Sequence, residues 1–510
     1  MNSKNHSSYR EALRATSITG ASSFVEVAVK MIKSKVIAVC VGPEGIGLFG
    51  ILTAATGLIT TLANCGLSTS GVRQVAAASS TNDQHKIAKV IYALRRASVL
   101  CGLLGMALIL LLARPVSKLT TGSPDNARYL LILSPLVLFQ SVSFGQLALL
   151  RGLRRIGDLA KVRIIGAVAA TAFSVPFVWL WGIEGVAPAM LVAAASGFGA
   201  SWWYARKVRI PEVRLDLGEV AVEAGALFGL GVAFLLTSLQ KPILDNAFRA
   251  ILAHKTDIQT VGQFLAASAL SHVYVNFVLQ AMGLDYLPRL TKHKDNKSEL
   301  NRLVNEQTEI ALLLAVPGVT ALVVLAPLVI PIFYSARFAD AIDVFRWQCL
   351  GVLLKVASWA LGFVVVALGL RTLFIATETI TNILYLAGFY VLVRTSGLTG
   401  AALAFAVAYL WYLPLIYFTV RRLTGFVWST SAKKIMVIGL VAYAVAVCSA
   451  WFLPITWKWV VGLALTCLTG GWAYHGLCRR TGIPIFRRVL DRCVSMVAGL
   501  LRPGRAMPSR

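Results

Sequence analysis

The chain has 510 residues, of which 57% are hydrophobic and only 14% charged, with a formal net charge of +27. Soluble globular domains carry about 25% charged residues, so a water-soluble core of this length is excluded and many membrane spans are indicated. The positive excess would suggest nucleic acid in a soluble chain, but in a membrane protein it is first a matter of topology, because Lys and Arg collect in cytoplasmic loops.

The N-terminal MNSKNHSSYREALR does not read as a removed signal peptide, since it lacks a short apolar core followed by a small-residue cleavage site. Apolar stretches of spanning length then recur at 15–41, 46–68, 93–113, 128–150, 160–181, 186–205, 223–250, 258–284, 307–334, 343–368, 372–394, 399–420, 434–454 and 458–477. Each is long enough to cross about 30 Å of hydrocarbon at about 1.5 Å per residue. With a cytoplasmic N-terminus, 35 of the 49 Lys and Arg fall in cytoplasmic segments, nine in outward loops and five inside spans. That bias predicts N-terminus and C-terminus inside, and it leaves no basic domain for nucleic acid. The spans are followed by IPIFRRVLDRCVSMVAGLL (Ile483–Leu501), whose apolar residues recur at helical spacing and predict an amphipathic helix on the cytoplasmic leaflet.

An internal repeat runs through the chain. GLFG at Gly47 and GQFL at Gly262 open spans 2 and 8 at an offset of 215, and GIEGVA at Gly182 matches GLTGAA at Gly397 at the same offset. RGLR at Arg151 pairs with LGLR at Leu368 at an offset of 217. Six spans per repeat preserve orientation, which predicts two parallel lobes. The expected fold is an all-α integral membrane protein of 14 transmembrane helices: an N-lobe over 1–210, a C-lobe over 211–425, an accessory helix pair over 426–480 and a basic amphipathic tail over 481–510.

Charges stand inside several spans, where each costs at least about 2.5–3.5 kcal/mol near the bilayer centre and normally faces a bundle interior or a wet cavity. Glu26, Lys30 and Lys33 share a face of span 1, with Lys35 beside them, and Lys241, Asp245 and Arg249 share a face of span 7. Lys355 lies in span 10 and Glu378 in span 11, so Lys outnumbers acid at this depth. Thr53, Thr56, Thr60 and Asn64 line one side of span 2, and Ser268, His272, Asn276 and Gln280 one side of span 8. Thr stripes on membrane helices commonly bond back to their own backbone, whereas three large polar groups on one face need partners or water. The eight cysteines show no ligand spacing and read as packing residues. GPEGIG (Gly42–Gly47) follows a helix rather than a strand and reads as a turn, not a phosphate loop.

GPEGIGLFG (Gly42–Gly50), GLSTSGVRQ (Gly66–Gln74), YLPRLT (Tyr286–Thr291) and FRWQCLGVLLKV (Phe345–Val356) together resemble the Wzx-type flippases of lipid-linked oligosaccharides, in the polysaccharide-transporter branch of the MOP (MATE-like) exporters. The resemblance covers about residues 15–425. It implies two six-helix lobes in a V around a cavity lined by spans 1, 2, 7 and 8, in the bacterial inner membrane. The implied cargo is an undecaprenyl-diphosphate-linked oligosaccharide, an O-antigen or exopolysaccharide unit, with membrane lipids, a polysaccharide polymerase and chain-length proteins as partners. Lys35, Lys355 and Arg249 fall where the family tends to place basic residues, whereas Glu26 departs from its pattern. Substrate contacts are therefore expected from Lys30, Lys35, Lys241, Arg249, Lys355, Asn64, Asn276 and Gln280, and coupling to H+ or Na+ from Glu26, Asp245, His272 or Glu378. No cofactor or resident metal is expected. The alternatives are a multidrug antiporter, whose cationic substrates would favour an acidic cavity, and a membrane-embedded polymerase or transferase, which would need outward carboxylates beyond the single pair Asp340 and Asp343.

Overall fold

The computed structural model describes residues 2–81, 83–208 and 217–481. The tail with Ile483–Leu501 lies outside the described residues. In chain order the helices are α1 (Asn2–Asn64), α2 (Leu67–Ser80), α3 (Gln84–Thr121), α4 (Ala127–Ile132), α5 (Ser134–Gly152), α6 (Ile156–Trp181), α7 (Val186–Ala205), α8 (Leu217–Lys255), α9 (Ile258–Lys292), α10 (Lys297–Phe333), α11 (Ala341–Ala367), α12 (Arg371–Thr424), α13 (Thr430–Phe452) and α14 (Ile455–Thr481). No strand occurs among the described residues. Helices are what lipid requires, because every backbone N–H and C=O must then be satisfied within its own segment.

Among the described residues, nine helices are long and apolar enough to cross a membrane, or ten if the bent pair Pro124–Ile132 and Ser134–Gly152 is one span. That number is below the fourteen apolar stretches of the sequence partly because two stretches share one helix in α1 and two in α12. Each of these double-length helices is broken at a glycine, Gly42 (φ 65, ψ −164) and Gly397 (φ 53, ψ −127). Rows of large apolar side chains stay uncovered, among them Leu104 and Leu111 on α3, Trp179 on α6 and Val437 and Val441 on α13. Such contiguous exposed surface suits acyl chains, not water.

The chain divides into two compact units. The first holds residues 1–269, 327–345 and 382–405. One of its cores joins Leu48, Leu52 and Ile59 of α1 to Ile109 of α3, Val137 of α5 and Met190 of α7. A second core joins Val75 of α2, Leu94 of α3, Leu149 of α5 and Leu227 of α8. The other unit holds residues 270–326, 346–381 and 406–510. Its core packs Leu290 of α9, Val304 of α10, Leu361 and Val364 of α11 and Ile416 of α12. There α10 also presents Asn301, Asn305 and Glu309 at successive i+4 steps. Asn301 donates to the Thr424 carbonyl at 3.0 Å, Asn305 accepts from the Ser429 N–H at 2.8 Å, and Glu309 pairs with Arg480 of α14 at 2.6 Å.

The repeat is visible in backbone torsions. Gly182 after α6 has φ 56 and ψ −129, nearly those of Gly397. A Cβ on Gly185 would overlap the Phe177 carbonyl, and one on Gly400 would overlap the Leu392 carbonyl, so the whole turn is reproduced 215 residues on. The turn after α5 corrects the register read at RGLR. Arg155 N–H bonds the Leu150 carbonyl and Ile156 N–H the Arg154 carbonyl, just as Leu370 bonds Val365 and Arg371 bonds Gly369. Arg154 (φ 55) therefore corresponds to Gly369 (φ 75), again at an offset of 215 and not 217. The similar letters of RGLR and LGLR conceal a shift of two, because what the turn repeats is a positive φ and not a side chain.

Candidate functional site

Two ion pairs of the first unit occupy matched positions of the repeat. Lys30 Nζ meets Glu26 Oε1 at 2.6 Å, and Lys241 Nζ meets Asp245 Oδ2 at 3.0 Å. Adding 215 to Glu26 gives Lys241, and adding it to Lys30 gives Asp245, so the repeat keeps the i,i+4 pair and reverses its polarity. The lysine side chains remain 66% and 84% exposed. Lys30 lies twelve residues, about 18 Å of helix, before the break at Gly42. Inside a membrane span, an ammonium that open would need water or a polar ligand, since a lipid-facing one is costly. Among the described residues, no cluster of three or more His, Cys, Asp and Glu has a geometry that could hold a metal ion.

Other charges on the same helices close contacts. Arg249 Nη1 donates to the Gly50 carbonyl at 3.0 Å, and Asn246 Nδ2 donates to the Ala54 carbonyl at 2.7 Å, tying α8 to the second half of α1. Lys35 Nζ donates to the Pro331 carbonyl at 2.7 Å, at the end of α10. Two residues expected to touch substrate thus donate to main-chain oxygens of neighbouring helices in this structure. One turn from Arg249's partner is the tightest crossing in the unit. A Cβ on Gly47 would overlap the Ile258 carbonyl and stand 3.0 Å from the Gly262 nitrogen, and a Cβ on Gly262 would overlap the Pro43 carbonyl. Pro43 and Ile258, like Gly47 and Gly262, are 215 residues apart, so the crossing has the symmetry of the repeat. Only glycine at both places lets the two backbones come this close. Gln263 extends the same end, donating to the Arg337 carbonyl at 2.9 Å and accepting from the Ala341 N–H at 3.2 Å.

Of the span 2 stripe, Thr53, Thr56 and Thr60 donate to the carbonyls of Phe49, Leu52 and Thr56, as Thr on a membrane helix tends to do. Thr60 also reaches Gln140 Oε1 at 3.2 Å. Asn64, read as a substrate residue, is only 5% exposed and its Oδ1 finds no hydrogen-bond partner, so it faces the packed interior of the unit.

Within the second unit, Lys355 Nζ donates to Asn276 Oδ1 at 3.2 Å, joining two of the expected residues across α11 and α9. One turn away, Ser271 Oγ lies 3.1 Å from His272 Nδ1 and donates to Gln348 Oε1 at 3.0 Å. Gln280 is exposed further along α9. Glu378 accepts a 3.0 Å hydrogen bond from Tyr412 of the same kinked helix. Sequence reasoning missed Asn246, Gln348 and Tyr412. Asn246 adjoins the recognised charges of α8, Gln348 lies within FRWQCLGVLLKV two residues after Arg346, and Tyr412 is a lone hydroxyl in an apolar run.

Residues 36–343, more than half of the chain, match the model of a family described as polysaccharide biosynthesis protein. The lipid III flippases of Escherichia coli (strain K12) and Shigella flexneri are each 26% identical over 407 residues, covering 79% of this chain and 96% of theirs. In fold, the chain is similar to the lipid II flippase MurJ in an inward closed conformation, with TM-score 0.69 and 14% identity over 92% of this chain and 99% of that one. It is also similar to an inward-facing multidrug resistance MATE family transporter of the MOP superfamily, with TM-score 0.64 and 15% identity over 78% and 98%.

Proposed function

The chain belongs to the polysaccharide biosynthesis protein family, and from that premise we propose that it is a flippase, not an enzyme, that moves a polyprenyl-diphosphate-linked oligosaccharide across the bacterial inner membrane. The 26% identity to lipid III flippases over nearly their whole length supports a lipid-linked precursor as cargo. The observation that carries the reading is the pair of repeat-matched lysines, Lys30 and Lys241, both left exposed beside a carboxylate in stretches that the sequence reads as spans. An ammonium is a compact donor suited to phosphate oxygens. Each lysine is held by a neighbouring carboxylate that an incoming diphosphate would displace.

The cargo in this reading is an O-antigen or exopolysaccharide repeat unit of the Wzx type, taken from the cytoplasmic leaflet and released to the periplasmic one, with both termini cytoplasmic. Lys355, with Asn276, supplies a further cation with a polar neighbour for the sugar–diphosphate head. Transport proceeds by alternating access. Its outward step separates the Gly47–Gly262 crossing and the ties from Arg249, Asn246 and Lys35, so these two basic residues act as clasps of the closed end. Glu26, Asp245, His272 and Glu378 are the groups available to bind H+ or Na+ during the cycle. A multidrug antiporter shares the fold, but drug cations would be repelled by the lysines.

The test is complementation of a strain lacking its flippase by Lys30→Gln, Lys241→Gln and Lys355→Gln. Each variant should reach normal membrane levels and fail to restore surface polysaccharide. Full complementation by all three would dismiss the anion site, and efflux of cationic drugs by the wild type would favour the antiporter.

A further inference from the structure

A groove away from these charges opens on the flank of the first unit. It is a cavity of about 420 Å³ between α3, α5 and α7. Its lining is mostly apolar, with Val99 from α3, Leu138, Phe139 and Val142 from α5 and Phe198 from α7 beside the polar Ser98 and Gln146. Phe139 and Phe198 stack at 5.4 Å across its floor. Its mouth is basic. Arg95 and Arg206 both line it, and no acidic side chain does. Arg95 Nη2 donates to the Ala205 carbonyl at 3.3 Å, which holds the guanidinium at the end of α7. The Arg206 guanidinium lies 5.0 Å from the ring of Trp202 and 4.9 Å from that of Trp203.

The run Trp202, Trp203 and Tyr204, ended by Arg206 and Lys207, has the composition of a membrane–water boundary, where aromatic rings and basic groups sit at headgroup level. The two guanidiniums therefore stand where lipid phosphates lie, and the apolar walls run from them into the hydrocarbon. Trp202 and Val99 are exposed along the rim, so an occupant would come sideways from the bilayer. Basic pockets between membrane helices on this kind of boundary favour anionic headgroups.

We propose that this groove is a binding site for an anionic membrane phospholipid, its phosphate on Arg95 and Arg206 and one acyl chain along Val99, Leu138, Val142 and Phe198. The site is separate from the proposed path of the cargo and would couple the transporter to the lipid composition of its own leaflet. The whole protein, in nanodiscs of phosphatidylcholine mixed with phosphatidylglycerol, can be analysed by native mass spectrometry for retained lipid. Wild type should retain phosphatidylglycerol over phosphatidylcholine by about tenfold or more. The double variant Arg95→Gln with Arg206→Gln should lose that preference. Arg206→Gln alone, at an exposed helix end, should lower it severalfold without disturbing packing. Val99→Trp, which fills the mouth and leaves both arginines, should abolish retention. Equal retention of the two lipids by wild type, or unchanged retention in the variants, would overturn the proposal. Displacement of phosphatidylglycerol by added undecaprenyl phosphate would instead assign the groove to cargo and would overturn it as well.

Discussion

The glycine crossing of the first unit and the charged turns before it are made from the same repeat, yet they obey opposite rules. At Gly47 and Gly262 the chain gives up side chains, so that two backbones touch and main-chain oxygens receive Arg249, Asn246 and Lys35. Earlier in the chain, on α1 and α8, Glu26–Lys30 and Lys241–Asp245 keep long charged side chains in the open. The first region is shaped by sterics, which admit one arrangement or another but little between them. The second is shaped by the high cost of leaving a membrane charge without water or a counter-ion. The proposed cycle uses both: a contact that either forms or does not, and cations that stay available until an anion replaces their carboxylate partners.

The largest expected effect comes from breaking the crossing. Gly47→Val or Gly262→Val should each reduce polysaccharide export by more than about a hundredfold, because the crossing can no longer form and the population that needs it falls accordingly. The two variants should match, since their obstructing contacts are related by the repeat. Gly57 lies on the same helix with nothing within 4 Å of a built Cβ, and Gly57→Ala should be neutral in the same export assay. A fully active Gly47→Val would remove the crossing from the cycle.

Next come the charges. Lys30→Gln or Lys241→Gln should lower transport by about 10–100-fold, the range expected for a lost hydrogen bond to a charged group. Exchanging Glu26 and Lys30 preserves the ion pair and moves the cation by one turn. Export measured in that double variant should stay low, and recovery to wild-type levels would mean that the pair serves helix structure alone. A smaller loss, about fivefold, is expected from Asn276→Leu, which takes one polar partner from Lys355 and leaves its charge.

The smallest effect on transport should come from the accessory helices. Arg480→Ala removes the ion pair with Glu309 and the contact with Ser431 that fasten α14 and α13 to α10. Thermal unfolding should show a loss of about 1–2 kcal/mol, with export close to normal. Lost export at normal protein levels would give these helices a role in the cycle.

Much of this was legible in the sequence, and the rest was hidden for definite reasons. The all-helical membrane class, the repeat at Gly47/Gly262 and Gly182/Gly397 and the charged faces of spans 1 and 7 all rest on periodicity and spacing, which one sequence carries. The register at Arg154 was not legible, because a turn repeats its torsions while its letters drift. The roles of Lys35 and Arg249 were not legible either. Their targets are carbonyl oxygens of Pro331 and Gly50, and a backbone oxygen leaves no mark on the identity of its residue. Asn64 shows the limit of a polar stripe: its i+4 spacing from Thr60 gives the face of the helix but not whether that face is packed or open.

The central claim is that exposed, repeat-matched lysines carry a diphosphate-linked glycan across the membrane. It is tested most directly by purified protein in liposomes bearing a polyprenyl-diphosphate oligosaccharide, with a glycan-cleaving enzyme added outside to report which leaflet holds the sugar. Wild type should bring the inner pool within reach of the enzyme, and Lys30→Gln and Lys241→Gln, inserted to the same level, should not. Wild-type liposomes that leave the inner pool protected, or lysine variants that expose it as fast as wild type, would contradict it.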